Sequence, residues 1–289
     1  MSQAADLRHS AQTLAAPLPA LLAQADHLAQ TVLLGEHGRR RAGMGDHFWQ
    51  YRPAQPGDSL RAIDWRRSAR SDDTFVQDKE WQIAQSVMLW VDQGASMRFT
   101  SDDNRADKAD RARTLALATA IVLNKAGERI GLAGADMPPR RGPQQITQIA
   151  QALIQDQPLD STAPDTDSLP PNARALFIGD FLGDIAPLTT ALTKAADRGI
   201  HGALLQVLDP QEEAFPFHGR TVFQSMSGKI THETLQAKGL RDRYLDRLAA
   251  RKDALRDLAR STGWQFHTHH TDAPAAAALM WIYQTLARA

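Results

Sequence analysis

Ser86-Val87-Met88-Leu89-Trp90-Val91-Asp92-Gln93-Gly94-Ala95-Ser96-Met97-Arg98 is the stretch that decides the fold. An apolar run of strand length ends at Asp92, small and hydroxylated residues follow at Gly94 and Ser96, and a long helical pattern comes next. That order puts a carboxylate and a hydroxyl at the carboxyl end of a buried strand. In open α/β sheets, ligands bind in the crevice outside those strand ends. Aspartate and serine oxygens are hard ligands, suited to Mg²⁺ or Mn²⁺. The stretch points to a metal-dependent or formerly metal-dependent binding domain rather than to a hydrolase with a nucleophile.

The same grammar continues toward the C-terminus. A helix is predicted near 104–126 with Gly127 as its stop, then a short strand at Arg129–Ala133 and a helix at 144–154. The proline-rich 155–172 reads as a surface loop. Ala173–Phe181 is a buried strand, 184–198 a helix, and His201–Leu208 a strand. Residues 211–239 read as irregular or hairpin-like. A charged helix at 240–261, a strand at Trp264–His270 and a helix at 273–288 complete the chain. Strands alternating with helices predict an α/β fold whose sheet is mostly parallel.

Upstream of residue 85 the pattern differs. Residues 1–16 read as a loosely ordered tail, and Leu21 to Val32 carry helical spacing. Residues 35–46 hold four glycines and no apolar period, which is a loop. Residues 47–85 alternate aromatic and charged residues, with Phe75–Trp81 read as an exposed or edge strand. The expected organisation is a tail (1–16), a β-rich extension with one helix packed on the main domain (17–84), and an α/β domain (85–289).

Composition removes several classes of function. The 289 residues carry zero net charge, so no global field argues for nucleic acid or membrane. The absence of cysteine excludes disulfides, thiolate zinc sites and thiol nucleophiles. No basic and apolar leader pattern opens the sequence, and no apolar run approaches the ~20 residues that span a bilayer. The expected location is the cytoplasm.

Two resemblances rest on quoted residues. The pattern after residue 86 resembles the von Willebrand factor A domain, a Rossmann-like sheet with a metal-ion-dependent adhesion site. That site uses Asp-x-Ser-x-Ser after the first strand, a threonine from a second loop and an aspartate after a later strand. Here the first motif reads Asp92-Gln93-Gly94-Ala95-Ser96, with glycine in place of the first serine. Asp180, in Phe177-Ile178-Gly179-Asp180-Phe181, matches the late aspartate, and the threonine has no match. The resemblance implies that Asp92, Ser96 and Asp180 would be the ligands of a degenerate site for Mg²⁺ or Mn²⁺. The alternative is that Asp92 caps the following turn and Asp180 bonds backbone amides.

The upstream block is more specific. Gln55-Pro56-Gly57-Asp58-Ser59-x-Arg61-x-Ile63-Asp64-Trp65-Arg66-x-Ser68-Ala69-Arg70 follows Gly35-x-His37-Gly38-Arg39, Arg41-x-Gly43-x-Gly45 and Phe48-x-x-Tyr51-Arg52. This order resembles the bacterial family called domain of unknown function 58. In that family such a block precedes a von Willebrand A-like domain, and members are often encoded beside MoxR-type AAA+ ATPases. The resemblance implies a non-enzymatic adaptor acting with such an ATPase, or with its client, in assembly or maturation.

Other constellations carry weaker readings. The arginines of 39–70, with Phe48, Trp49, Tyr51 and Trp65, could hold single-stranded nucleic acid by stacking and phosphate contact. The favoured reading is structural: Arg–carboxylate pairs, turn chemistry at Asp58, and Asp64 as a buried polar anchor beside a core Trp65. His267, His269 and His270 read as a solvated strand end rather than a transition-metal site. Ser225-Met226-Ser227-Gly228-Lys229 is a fragment of a phosphate-loop pattern without its leading glycine. A metal-dependent phosphoesterase would need more carboxylates near Asp92 and Asp180 than the sequence supplies.

Overall fold

The computed structural model describes residues 42–43, 47–55, 58–59, 63–70, 73–80, 85–135, 137–154, 163–216, 221–224, 231–234 and 238–288. They fall into two compact units, one within Gly35–Ala84 and one within Gln85–Ala289. The expected helix at 21–32, the glycine-rich loop apart from Ala42–Gly43, and Ser225–Lys229 lie outside the described residues.

In the smaller unit, β1 (Ala42–Gly43), β2 (His47–Pro53) and β3 (Phe75–Glu80) form an antiparallel sheet in the order β1-β3-β2. The strand read as an edge is thus the central one. Its second side is covered piecemeal, by Ala42 and Gly43 opposite Glu80 and Lys79 and by a single bridge from Ile63 to Val76. No contiguous pattern marks such a partner in the sequence. A four-residue helix, α1 (Trp65–Ser68), precedes β3.

The larger unit runs β4 (Ser86–Val91), α2 (Lys108–Lys125), β5 (Arg129–Leu132), β6 (Met137–Arg140), α3 (Pro143–Ile154), β7 (Arg174–Gly179), α4 (Ile185–Asp197), β8 (His201–Leu208), α5 (Pro210–Ala214), β9 (Thr221–Gln224), β10 (Thr231–Thr234), α6 (Lys238–Ser261), β11 (Gln265–His270) and α7 (Ala275–Arg288). Six of these strands make one sheet in the order β11-β8-β7-β4-β5-β6. All pairs are parallel except β5 with β6. β6 escapes a reading by pattern because Met137-Pro138-Pro139-Arg140 cannot donate at two positions. Proline is tolerated on an edge strand such as this one. β9 and β10 pair as an antiparallel hairpin.

The parallel sheet explains why 86–91 is apolar throughout. Val87, Leu89 and Val91 face one core with α2, α3 and α7, while Met88 and Trp90 face a second core with α4 and α6. A strand covered on both faces has no polar side to alternate with. Each fully buried large side chain, such as Leu89 or Phe177, contributes about 1.5–3 kcal/mol. α2 starts four residues later than the sequence predicts, because the Asp107 carboxylate accepts from the Asp110 amide at 2.7 Å and caps it. Among the described residues no helix is long and apolar enough to cross a membrane.

Candidate functional site

Parallel pairing of β4 with β7 sets Val91 beside Ile178, so Asp92 and Asp180 emerge at the same carboxyl rim. The Asp92 amide donates to the Ile178 carbonyl at 2.8 Å. Gly179 keeps the approach open: a β-carbon there would lie 2.9 Å from Asp92 Cβ. The two acidic residues expected to converge therefore do so. They are not open to water, however: Asp92 is 8% exposed and Asp180 2%.

Each carboxylate is already engaged. Asp92 Oδ1 accepts from the Gly94 amide at 2.8 Å, and Asp180 Oδ1 accepts from the Leu182 amide at 3.1 Å. These are the backbone contacts of the simpler reading. Asp180 Oδ2 meets a group that sequence reasoning missed: Lys108 Nζ, at 3.0 Å. The same ammonium donates to Glu212 Oε1 at 2.6 Å and has no solvent exposure. Ser96 lies half-buried in a 3-10 turn at Ala95–Arg98.

The network extends across the rim. Gln206 Nε2 donates to the Asp180 carbonyl at 2.9 Å, and Thr268 Oγ1 donates to Gln206 Oε1 at 3.1 Å. Asp209 caps α5, accepting from the Gln211 amide at 2.9 Å and from the Ser101 amide at 3.1 Å. Glu212 completes a capping box by accepting from the Asp209 amide at 2.8 Å. Burial alone would raise the Asp209 pKa, but hydrogen bonds from Ser101 and Gln211 and the Arg105 charge hold it below the usual range. Burial alone would lower the Lys108 pKa; the charges of Asp180 and Glu212 reverse this and keep it raised. Two carboxylates around one ammonium leave a negative charge uncompensated. Burial, with Asp180 adding to it, accordingly pushes Glu212 up, only partly offset by Lys108.

The sequence holds two signals for these residues. Asp209-Pro210-Gln211-Glu212 is a capping box with proline at its first helical position, where irregular chain is expected from pattern alone. Lys108 opens α2 at the end where the helix dipole disfavours a cation, so something else must hold it there.

A divalent ion does not fit Asp92, Ser96 and Asp180 as arranged. Gly94 supplies no hydroxyl, and the Asp180 carboxylate is taken by Lys108 and an amide. Among the described residues no three carboxylate or imidazole groups converge on a metal-sized space.

The upstream block is built as a clamp. Asp58 Oδ2 accepts from the Gln55 amide at 2.7 Å, a turn contact as expected. Asp64 Oδ1 accepts from the amides of Arg66 and Arg67 at 3.1 and 3.0 Å, and Oδ2 accepts from Tyr51 Oη at 3.0 Å. The Arg67 and Tyr51 bonds outweigh burial and hold the Asp64 pKa low. Ser68 Oγ donates to the Asp64 carbonyl at 2.8 Å and accepts from the Phe75 amide at 2.9 Å, tying α1 to β3. Arg67 stacks on Tyr51, 4.4 Å from its ring centre. The expected core position of Trp65 is wrong: it is 61% exposed, because Asp64 caps α1 and the helix turns Trp65 outward. Arg66 and Arg70 are exposed as well, and the Arg66 charge adds to what holds the Asp64 pKa low. Pro56, Gly57 and Arg61 lie outside the described residues.

Of the three histidines read as a solvated strand end, His267 is exposed and His270 half-buried, and only His269 departs from that reading. His269 is buried, His270 meets Glu213, and His267 stacks on Trp281 at 4.9 Å. β11 is an edge strand, but α7 and α5 flank its carboxyl end through these contacts.

The chain is similar to the uncharacterized protein Rv1480 of Mycobacterium tuberculosis and the uncharacterized protein Mb1516 of Mycobacterium bovis. Each is 28% identical over 256 residues, which is 83% of this chain and 80% of theirs. Among solved structures it is similar to the conserved hypothetical protein BatB from Bacteroides thetaiotaomicron, with a TM-score of 0.42 and 13% identity over 71% of this chain and 100% of that one. An aerotolerance-related membrane protein from Bacteroides fragilis gives a TM-score of 0.43 and 14% identity over 71% of this chain and 100% of that one. The model of the family described as protein of unknown function DUF58 matches residues 50–254, and the chain belongs to that family.

Proposed function

We propose that the chain is a non-enzymatic adaptor of the cytoplasm. It acts with a MoxR-type AAA+ ATPase in assembly or maturation of client complexes, and it binds through the loops at the carboxyl rim of a von Willebrand factor A-like sheet. One observation carries this reading: the rim's acidic side chains are spent on holding loops. Asp92, Asp180 and Asp209 each fix a neighbouring backbone amide, and Asp180 also anchors Lys108. A general base or nucleophile must instead be free to reach substrate. A shaped, immobile rim suits a partner.

Immobilised chain should capture a purified MoxR-type ATPase. Gln93→Arg and Gly183→Arg, which enlarge two rim loops without touching the buried network, should weaken capture at least tenfold, about 1.4 kcal/mol. Undiminished capture by both variants, or none by the parent chain, would count against the proposal.

The exposed Trp65, followed in sequence by the exposed Arg66 and Arg70, favours a second reading, a single strand of nucleic acid stacked on Trp65. In that case oligonucleotide binding falls steeply with salt and drops by about 1–3 kcal/mol in Trp65→Ala. Equal, salt-insensitive binding by both proteins removes it.

A further inference from the structure

We propose that Lys108 is the rim's permanent cation, a tethered ammonium that joins the rim's acidic segments as a divalent ion would, so that this domain shapes its binding loops and engages its ligand without metal. The proposal concerns how the site is built and stands whichever partner it serves.

The geometry carries it. Lys108 Nζ bridges two separate segments, the loop after β7 through Asp180 (3.0 Å) and α5 through Glu212 (2.6 Å). A metal ion bound there would join the same segments through the same carboxylates. The ammonium is fully buried, with the Phe99 ring centre 5.9 Å away. Burying a charge is costly unless paired, and an apolar side chain at the first position of α2 would avoid both that cost and the opposing helix dipole. A lysine at this place is explained by what it bridges. The ligands it takes are the hard oxygens a magnesium ion prefers, and one or two carboxylates with waters suffice for magnesium. The substitution of Gly94 for a hydroxyl belongs to the same account: an ammonium offers three donors and needs acceptors, whereas a metal needs a fuller oxygen shell. Because the charge is covalently attached and sealed, chelation cannot empty the site. A partner's acidic side chain cannot complete its shell either. The ligand therefore recognises the loops that Lys108 holds, not the cation.

The test uses the full chain. Parent protein titrated with MgCl2 or MnCl2 should give no binding heat, and neither salt nor chelator should move its Tm. A saturable heat with a rise in Tm would overturn the proposal. Lys108→Ala empties a space between two carboxylates. Its Tm should fall, and millimolar Mg²⁺ or Mn²⁺ should restore most of the loss in a saturable way. Adding Asp180→Asn should abolish that recovery. Refolding Lys108→Ala from denaturant with and without the ion covers the case in which it needs the ion to fold. Failure of the ion to raise Tm or yield folded protein would overturn the proposal, as would equal recovery in the Asp180→Asn background. Both results are read on this chain alone, so they are separate from the fate of the ATPase-capture experiment.

Discussion

Asp180→Ala is expected to destabilise the larger unit by about 1–3 kcal/mol, because Glu212 remains as the counter-charge of Lys108 while one ammonium donor and one backbone amide lose a buried acceptor. Lys108 has no exposure and Asp180 2%, so water cannot replace the lost carboxylate without opening the rim. The substitution also removes the acceptor for the Leu182 amide. A typical domain is stable by only about 5–15 kcal/mol, so the variant should unfold at a lower urea midpoint with its slope unchanged. Asp180→Asn keeps an oxygen for the amide and should lose less. A midpoint shift worth under about 1 kcal/mol for Asp180→Ala would show that the pair holds nothing. The pair also sets an alkaline limit. The Lys108 pKa is raised above 10.5, so the stabilisation is complete below that pH and is lost as the pH climbs through the folded-state value.

The second large effect lies at acid pH. Burial, reinforced by the Arg111 charge, pushes the His269 pKa from 6.5 down to about 4. Among the described residues its Nε2 has no hydrogen-bond partner, so the folded protein offers an added proton no acceptor. The unfolded chain takes up that proton near the ordinary histidine pKa, whereas the folded chain resists it. Stability is therefore present above pH 6.5 and falls away as the pH drops toward about 4. The full difference is about 3 kcal/mol, since each tenfold change in proton affinity is worth about 1.36 kcal/mol. His269→Leu removes both the titration and the unpaired nitrogen. It should be as stable as the parent near neutrality and more stable by about that amount at pH 4, as read by urea unfolding across the range. Parallel pH profiles for the two proteins would rule this out.

What the sequence discloses follows from how local each determinant is. The apolar run at 86–91 and its counterparts at 173–181 and 201–208 are legible because a parallel strand is apolar along its whole length. Asp92 and Asp180 can be set at one rim because parallel register alone aligns strand ends. Lys108 cannot be found that way: its partners are 72 and 104 residues distant. Trp65 misleads because an aromatic beside an aspartate looks like core, and only the capped turn at Asp64 shows which way it points. β3 and β6 are hard to place because their neighbours are fragments or their own residues are prolines, which leave no periodic trace.

The chain of contacts from Thr268 through Gln206, Asp180 and Lys108 to Glu212 joins the ends of three neighbouring strands to the starts of two helices. A visitor landing on that edge meets a contour already set, so little freedom is surrendered on arrival. Preorganisation of this kind shows itself in how long a complex lasts rather than in how quickly it forms.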